Sequence, residues 1–253
     1  MLSRVRIAHE WQAFWLALGF LTRIPMLVRI DYSQRLMNQS SVYFPLVGLL
    51  LGLGYCAAYA VLSLIASPVV AIMLVVTLHL FVTGAFHEDG LADSVDALGG
   101  GYTVEKRLAI MKDSRIGTYG TVALVMALLL KVALLVEADS VWLALLLAPA
   151  VSRLTPLLLM AALPYVTDPD KSKSKPVADG FSRQRLLAAS AFVLLLTAGL
   201  SAFQPLLLPA AIASVLLVAL LWGRYLRSQL GGYTGDALGA AVVFSELVLL
   251  LFL

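Results

Sequence analysis

The chain has 253 residues, of which 61% are hydrophobic and only 13% are charged, and its mean hydropathy is +0.93. Soluble domains contain roughly 45–50% apolar and about 25% charged residues, so this composition excludes a water-soluble domain and makes lipid part of the solvent. The formal net charge is +3 and the only cysteine is Cys56, which excludes an internal disulfide.

The N-terminal segment has a short apolar run, 13–21, that lacks the small residues of a signal-peptide cleavage site. Because Arg23 and Pro25 follow the run at once, we predict a retained helix. Its aromatic side chains between Trp11 and Trp15 favour a helix that lies in the membrane interface. A spanning helix is the alternative.

Seven later segments are long and apolar enough to cross a bilayer, which takes about 20 residues of helix. The segments are 42–66, 69–86, 119–136, 141–163, 186–203, 206–222 and 237–253. The sequence therefore predicts an all-α, polytopic transmembrane helix bundle. It would have about seven spanning helices plus the N-terminal interfacial or spanning helix, in a single integral membrane domain, 1–253.

The basic residues are distributed asymmetrically over the connections. The predicted inward segments are the N-terminal tail, 29–41, 87–118, 164–185 and 223–236. They contain Arg4, Arg6, Arg29, Arg35, Lys106, Arg107, Lys112, Arg115, Lys171, Lys173, Lys175, Arg183, Arg185, Arg224 and Arg227. The outward connections near 67–68, 137–140 and 204–205 contain no Lys or Arg. This pattern predicts loops that face the cytoplasm, and the positive charge needs no nucleic acid partner.

Three aspartates follow the second predicted span, and their spacing of four and three residues places them on one face of a helix. Like charges at this spacing repel each other, and a divalent cation removes that cost. Carboxylate oxygens suit Mg²⁺, which also bridges to substrate phosphates. We therefore predict Asp89, Asp93 and Asp96 as metal ligands, with Glu88, which projects away from Asp89, as a weaker one. A solvated acidic helix end is the alternative, and His87 beside it can simply cap or pack.

A second polar cluster follows on the same loop. Lys112 and Arg115 flank Asp113, and two cations beside a carboxylate cluster suit a pyrophosphate, whose oxygens they can neutralise. Gly117 and Gly120 permit a close approach of the backbone. An ordinary basic juxtamembrane loop is the alternative.

A third cluster, Gly231 to Ala240, lies at the start of the last predicted span and contains Thr234, Asp236 and Gly239. Small residues such as Gly239 permit close contact between helices. Asp236 can cap the helix, bind the metal or act as a base, and the sequence does not separate these roles.

Three charged residues fall inside predicted spans, where such groups usually mark a site or a buried pair. Arg153 and Glu246 lie near the middle of their spans, and we predict that they pair with each other. Lys131 lies near the outer end of its span, where its long side chain can extend to the interface.

Together these motifs resemble the cobalamin synthase family, the adenosylcobinamide-GDP ribazoletransferases. The resemblance rests on the runs FHEDGLADSVD (86–96), MKDSRIGTYG (111–120) and GGYTGDALGA (231–240), supported by FLTRIP (20–25), YFPLVGLLLG (43–52), the pattern at 151–153 and Glu246. It covers nearly the whole chain in order. Glu88 and Ala97 depart from the leucine and glycine that are common in the family.

The resemblance implies a transferase of the last steps of cobalamin biosynthesis at the bacterial inner membrane. The 3′-hydroxyl of α-ribazole, or of its 5′-phosphate, attacks adenosylcobinamide-GDP with Mg²⁺ as cofactor, and GMP leaves. Lys112 and Arg115 would stabilise the leaving phosphate, while the general base is left open among Asp96, Asp113 and Asp236. The candidate substrate-binding residues are His87, Gly117, Arg153, Thr234 and Glu246. The active site would be formed by cytoplasmic loops, chiefly 87–118 and 223–240, and self-association into a homo-oligomer is left open.

Two alternatives remain at the level of sequence. A membrane transferase of another pyrophosphate substrate, of the prenyl or CDP-alcohol type, uses similar chemistry, but the second aspartate-rich motif of prenyltransferases is missing. A transporter would bind its substrate near the membrane midplane, whereas here the polar residues concentrate in the inward loops.

Overall fold

The computed structural model describes residues 2–166 and 182–253, and within them the chain is helical apart from its connections and one isolated bridge between Tyr165 and Tyr233. The predicted all-α class is confirmed. The helices are α1 (Leu2–Leu21), α2 (Gln34–Ser40), α3 (Phe44–Leu62), α4 (Pro68–Thr83), α5 (Phe86–Gly100), α6 (Val104–Met111), α7 (Thr118–Glu137), α8 (Val141–Ser152), α9 (Thr155–Ala162), α10 (Arg183–Leu200), α11 (Leu207–Leu230) and α12 (Gly235–Leu250).

Five helical stretches of the described chain are long and apolar enough to cross a bilayer, or six if α4 and α5 are counted as one bent span. They are Gln34–Leu62, Thr118–Glu137, Val141–Ala162, Arg183–Leu200 and Leu207–Leu230. The chain is therefore a multi-pass helix bundle. The N-terminal helix α1 is not among the five, and in it Trp11 is exposed while Phe14 and Trp15 are half-buried.

About seven spans are predicted, and five or six helical stretches of the described chain have the length of a span, because the segments 69–86 and 237–253 form shorter helices. The helices found there, α4 and α12, have 16 residues each. At 1.5 Å per residue such a helix is about 24 Å long, which is shorter than the roughly 30 Å hydrocarbon core of a bilayer. Hydropathy marks the apolar residues of these segments but does not show where each helix ends.

The end of α4 is a sharp bend. Gly84 and Ala85 both adopt left-handed backbone conformations, with φ of 67° and 54°, and α5 leaves at 85° to α4. The N–H groups of Gly84 and Ala85 still bond to carbonyls of the last turn of α4, so the helix closes without unpaired groups. The bend directs the acidic helix α5 away from the axis of α4.

A second break separates α8 from α9 at Arg153 and Leu154. Pro156 in the first turn of α9 suits a helix start. The guanidinium of Arg153 donates from Nη1 to the carbonyl of Pro149 at 2.7 Å, a group that lies in the last turn of α8 and needs a partner. Arg153 thus caps the break in the middle of the span.

The closest helix packing in the bundle is that of α3 against α8. Gly48 and Gly52 of α3 face the backbone of α8, and a Cβ atom at either glycine would collide with carbonyl groups of Pro149 or Leu146. Small residues of this kind allow helices in lipid to approach and gain dispersion contacts.

The connections divide between the two ends of the bundle. We call one of these ends the polar end, and its connections are 22–33, 84–85, 101–103, 112–117, 163–166 and 231–234. Backbone hydrogen bonds connect segments at this end: the N–H of Arg23 donates to the carbonyl of Val82, and the N–H of Tyr233 donates to the carbonyl of Pro164. At the opposite end the backbone N–H of Asp139 donates to the carbonyl of Leu253. Of the predicted inward basic residues, Lys171, Lys173 and Lys175, and the side chains of Arg4 and Arg6, lie outside the described residues.

Two glycines of α3 offer a matched test of this packing. Gly52→Ala places a methyl group against the backbone of α8, whereas Gly54 has no atom within 4 Å of its Cβ position. We expect Gly52→Ala to cost about 1–3 kcal/mol of stability through overpacking, and Gly54→Ala to be neutral or slightly stabilising because alanine favours helix. Thermal unfolding of the two variants in one detergent checks this. Equal melting temperatures would contradict the close contact of α3 with α8.

Candidate active site

The three aspartates predicted to share a helix face all lie on α5. Asp89 is exposed in the first turn, Asp93 is half-buried one turn later, and Asp96 is 8% exposed further along. The helix ends at Gly100, and Gly101 after it is extended. The carboxylates therefore run from the surface of the polar end to the start of α7.

A fourth carboxylate comes from α12. Thr234 is the N-cap of this helix, since its hydroxyl accepts the N–H of Ala237 at 3.2 Å. Asp236 therefore lies inside the first turn, and of the three roles left open for it the structure gives the helix cap to Thr234 instead. A Cβ at Gly90 of α5 would lie 2.7 Å from the carbonyl oxygen of Asp236, so α12 packs directly on α5. This packing brings Asp236 beside Asp89.

The neighbouring carboxylates act on Asp93 and Asp236. Partial burial, and then the charges of the other three aspartates, raise the pKa of Asp93 to about 7. Burial, and then the charge of Asp89, raise the pKa of Asp236 to about 6. These directions are those expected for carboxylates that share a site. A cation bound there would relieve the repulsion.

The carboxylate of Asp96 is engaged with the backbone at the start of α7. Oδ2 accepts the N–H of Gly117 at 2.7 Å, and Oδ1 accepts that of Gly120 at 2.8 Å. The first N–H groups of a helix lack partners within it, and its dipole favours an anion there. A side chain at either glycine would occupy the place of the carboxylate. Gly117, a predicted substrate contact, thus gives its N–H to Asp96.

The loop after α6 holds an ion pair. Nη2 and Nε of Arg115 lie 2.6 and 3.0 Å from the two carboxylate oxygens of Asp113. Hydrogen bonds from Arg115 lower the pKa of Asp113 to about 2. So weak a base is a poor proton acceptor at neutral pH, which disfavours Asp113 among the three predicted bases. Lys112 is exposed at the end of α6.

Glu88, predicted as a weaker metal ligand, points into the bundle instead. It is 3% exposed, and its Oε1 lies 3.0 Å from Nε2 of His79. The other ring nitrogen of His79 is 2.9 Å from the hydroxyl of Tyr55. Glu88 lies about 100° around α5 from Asp89, and this rotation turns it toward α4. His79 and Tyr55 are buried polar partners that the sequence analysis missed, although a histidine within a predicted span is a signal that could have found one of them.

The predicted pairing of Arg153 with Glu246 is wrong. Glu246 pairs with Lys131, whose Nζ lies 3.0 Å from Oε2, and both side chains are buried. Lys131 therefore does not extend to the outer interface. The pair forms because α12 packs against α7, which brings the Lys131 ammonium group beside the buried Glu246 carboxylate. Without this partner the carboxylate would be a buried, unpaired charge.

We call the surface formed by Asp89, Asp93 and Asp236 the acidic face. A cavity extends from it into the bundle, and we call this cavity the chamber. Asp89 and Asp236 line its outer part, and Arg153 and His87 also line it. Its apolar wall includes Phe20, Phe44, Met160, Tyr165, Tyr233 and Val242. Two of the five predicted substrate-binding residues, His87 and Arg153, line the chamber. The other three, Gly117, Thr234 and Glu246, are not part of its lining.

The acidic face does not form a closed metal cage. Among residues 2–166 and 182–253, no three His, Cys, Asp or Glu side chains converge at metal-binding distance. Asp89, Asp93 and Asp236 still offer the hard oxygen donors that Mg²⁺ uses, and Mg²⁺ typically takes only one or two protein carboxylates beside water and phosphate oxygens. The donor set therefore fits this ion, and the metal stays a prediction.

These features define a class of protein. It is a multi-pass membrane protein with a group of aspartates at one end of the bundle and a cavity that begins beside them, an arrangement that suits an enzyme of the membrane surface. The chain belongs to the cobalamin-5-phosphate synthase family, whose family model matches residues 13–253.

Curated relatives agree with this family along the whole chain. An adenosylcobinamide-GDP ribazoletransferase of Shewanella halifaxensis is 47% identical over 243 residues, which cover 92% of this chain and 91% of the relative. Proteins with the same name from Vibrio cholerae and Vibrio parahaemolyticus are 44% and 42% identical and cover 98% of this chain. The matches span 95% of the Vibrio cholerae protein and 93% of the Vibrio parahaemolyticus protein. No solved structure matches the chain.

Two aspartates of α5 should respond differently to loss of charge. Asp96→Asn leaves one backbone N–H of α7 facing an amide NH₂, and we expect a loss of about 1–3 kcal/mol of stability. Asp89→Asn removes repulsion from Asp93 and Asp236, so it should leave the metal-free protein as stable or more so. Thermal unfolding in EDTA compares the two variants. If Asp89→Asn lost as much stability as Asp96→Asn, the two aspartates would not have the different roles assigned to them.

The buried ion pair can be tested by a double-mutant cycle. Lys131→Met leaves Glu246 buried and unpaired, and we expect it to lower stability by about 3–5 kcal/mol. Glu246→Leu should be costly for the same reason, whereas the double variant should recover most of the loss. Additive losses, measured as melting temperatures or folded yield in detergent, would show that the two residues do not pair.

Proposed function

We infer that this chain is an adenosylcobinamide-GDP ribazoletransferase. It would join adenosylcobinamide-GDP to α-ribazole or its 5′-phosphate and release GMP. The names of relatives that match more than nine-tenths of the chain support this reaction. The observation that carries it is the acidic face of Asp89, Asp93 and Asp236 at the rim of the chamber.

The reaction needs one bond formed and one broken at phosphorus. The ribose 3′-oxygen of the acceptor bonds to the cobinamide-side phosphorus, the phosphoanhydride bond to GMP breaks, and the hydroxyl proton passes to a base. Phosphoryl transfer depends mainly on positioning and on stabilisation of charge. The work of the protein is therefore to hold the two substrates in line and to neutralise the pyrophosphate.

Asp89 and Asp93 are the residues that would hold Mg²⁺, with Asp96 behind them. Bound there, Mg²⁺ would neutralise charge on the pyrophosphate oxygens. Among the residues of the chain itself, Lys112 and Arg115 supply further positive charge for the leaving phosphate.

Asp236 is the favoured base among the three aspartates considered. Both oxygens of Asp96 accept backbone N–H groups, and Asp113 is paired with Arg115. Asp236 lies at the chamber rim with a pKa raised to about 6. A carboxylate with this pKa is mostly ionised at neutral pH and a better proton acceptor than an ordinary aspartate.

The polar end is proposed to face the cytoplasm of a bacterial inner membrane. The opposite connections 63–67, 138–140 and 201–206 contain no Lys or Arg, and this asymmetry is the orientation signal of inner-membrane proteins. A site at the polar end would then receive its nucleotide substrate directly from the cytoplasm.

Release of GMP from adenosylcobinamide-GDP and α-ribazole 5′-phosphate tests the reaction. We expect the protein in nanodiscs to form product only with Mg²⁺. Asp89→Asn should stay folded and lose turnover by about a hundredfold or more, since an anionic oxygen at the pyrophosphate is lost. Glu105→Gln, which changes an exposed carboxylate on the neighbouring helix α6, is the matched control and should keep full activity.

Two outcomes would count against the proposal. Absence of GMP release from folded protein with both substrates and Mg²⁺ would remove the reaction. Full activity of Asp89→Asn would remove Asp89 from the proposed metal site while leaving the reaction in place.

A further inference from the structure

We propose that the chamber is the binding site for the acceptor, and that it holds the planar nitrogen heterocycle of α-ribazole with Arg153 hydrogen-bonded to the unsubstituted ring nitrogen. The proposal rests on the proposed function, because it assigns a place to one of the two substrates of that reaction. Four observations lead to it: unpaired donors, charge, lining and position.

Arg153 has hydrogen-bond donors that the described chain does not satisfy. Its side chain is 2% exposed, Nη1 donates to the carbonyl of Pro149, and Nε and Nη2 are buried without a partner among the described residues. A guanidinium stays charged in proteins and carries five N–H groups. Buried donors that stay unpaired cost free energy. Because Arg153 lines the chamber, a ligand there can supply the missing acceptor.

The charges around Arg153 favour a neutral acceptor over a phosphate. The buried carboxylates of Glu88 and Glu246 act on Arg153 electrostatically, so its positive charge is already partly balanced. A phosphate would also have to pass Asp89 and Asp236 at the outer part of the chamber. The lone pair of an aromatic ring nitrogen accepts a hydrogen bond without bringing a negative charge past these carboxylates.

The lining of the chamber suits an aromatic base. Phe20, Phe44 and Tyr165 present aromatic side chains to it, and such rings stack on or pack edge-on against a planar heterocycle. The corrin ring of the other substrate, with its amide side chains, is too large and too polar for this space.

The position of the chamber fits the direction of the reaction. Asp236 and Val242 both line it, and six residues of α12 place Val242 about 9 Å deeper than Asp236. A base in the inner part would leave its ribose at the rim, beside Asp89 and Asp236. There the 3′-hydroxyl would meet the proposed base and the pyrophosphate held on the acidic face.

The first experiment measures equilibrium binding of α-ribazole to the protein in nanodiscs, without the GDP-bearing substrate and therefore without turnover. We expect Arg153→Gln to weaken this binding about ten- to a hundredfold, as expected for loss of a hydrogen bond to a charged group. Binding of adenosylcobinamide-GDP should change less than twofold. The corresponding riboside of an indole, which has carbon in place of the free ring nitrogen, tests the same contact in the unaltered protein.

The indole riboside should bind the unaltered protein as weakly as α-ribazole binds Arg153→Gln, and Arg153→Gln should weaken its binding no further. This comparison keeps the proposal testable even if Arg153→Gln folds poorly. Normal affinity of the unaltered protein for the indole riboside would overturn the contact with the ring nitrogen. A much larger effect of Arg153→Gln on α-ribazole 5′-phosphate than on α-ribazole would overturn it as well, because Arg153 would then bind the phosphate.

A matched pair of variants on α9 tests the chamber itself. Met160→Phe enlarges a side chain of the chamber wall, whereas Leu158→Phe makes the same kind of change beside a different cavity. We expect Met160→Phe to weaken α-ribazole binding at least tenfold and Leu158→Phe to leave it unchanged. If Met160→Phe alters only the lipid that copurifies and not the affinity for α-ribazole, the chamber is a lipid site and the proposal fails.

Failure of this inference can be separated from failure of the reaction. GMP release with normal α-ribazole affinity in both Arg153→Gln and Met160→Phe would reject the acceptor site and keep the proposed function. Absence of both GMP release and α-ribazole binding in the unaltered protein would reject the two proposals together.

Discussion

Carboxylates cannot be left in hydrocarbon without partners, and this constraint governs the polar end of the molecule. The chain reaches Asp89 only six residues after the end of α4, so it must leave the direction of that helix almost at once. Gly84 and Ala85 make this turn in left-handed conformations, and α5 departs at 85°. The acidic face, the contact of α5 with α12 and the outer part of the chamber all depend on that change of direction.

Glycine contacts then fix the acidic helix in place. Gly90 lets α12 approach until its backbone meets α5, and Gly117 and Gly120 bring the start of α7 onto Asp96. Two other segments of the chain, α12 and the start of α7, therefore meet α5. Helix packing holds together the carboxylates that repel one another.

The buried polar residues differ in how far the bundle satisfies them. Lys131 and Glu246 pair with each other, which allows polar groups to lie in an apolar interior at a tolerable free energy. One carboxylate oxygen of Glu88 lies beside His79, and the other is buried without a partner among the described residues. Only part of the Arg153 guanidinium is used to cap the break between α8 and α9. Its remaining donors lie at the chamber, which Arg153 lines together with His87 and apolar side chains.

The all-α membrane class, the shared helix face of the three aspartates and the family could all be predicted from the sequence. These follow from composition, from a period of 3.6 residues and from contiguous motifs, all of which are local properties of the chain. The pairing of Glu246 with Lys131, the place of Asp236 on the acidic face and the contact of Asp96 with the start of α7 become visible only in the folded chain. Partner choice depends on which helices pack together, and residues more than a hundred positions apart, such as Lys131 and Glu246, carry no local signal of their contact. Helix ends were equally hidden, because hydropathy cannot detect a backbone turn such as that at Gly84.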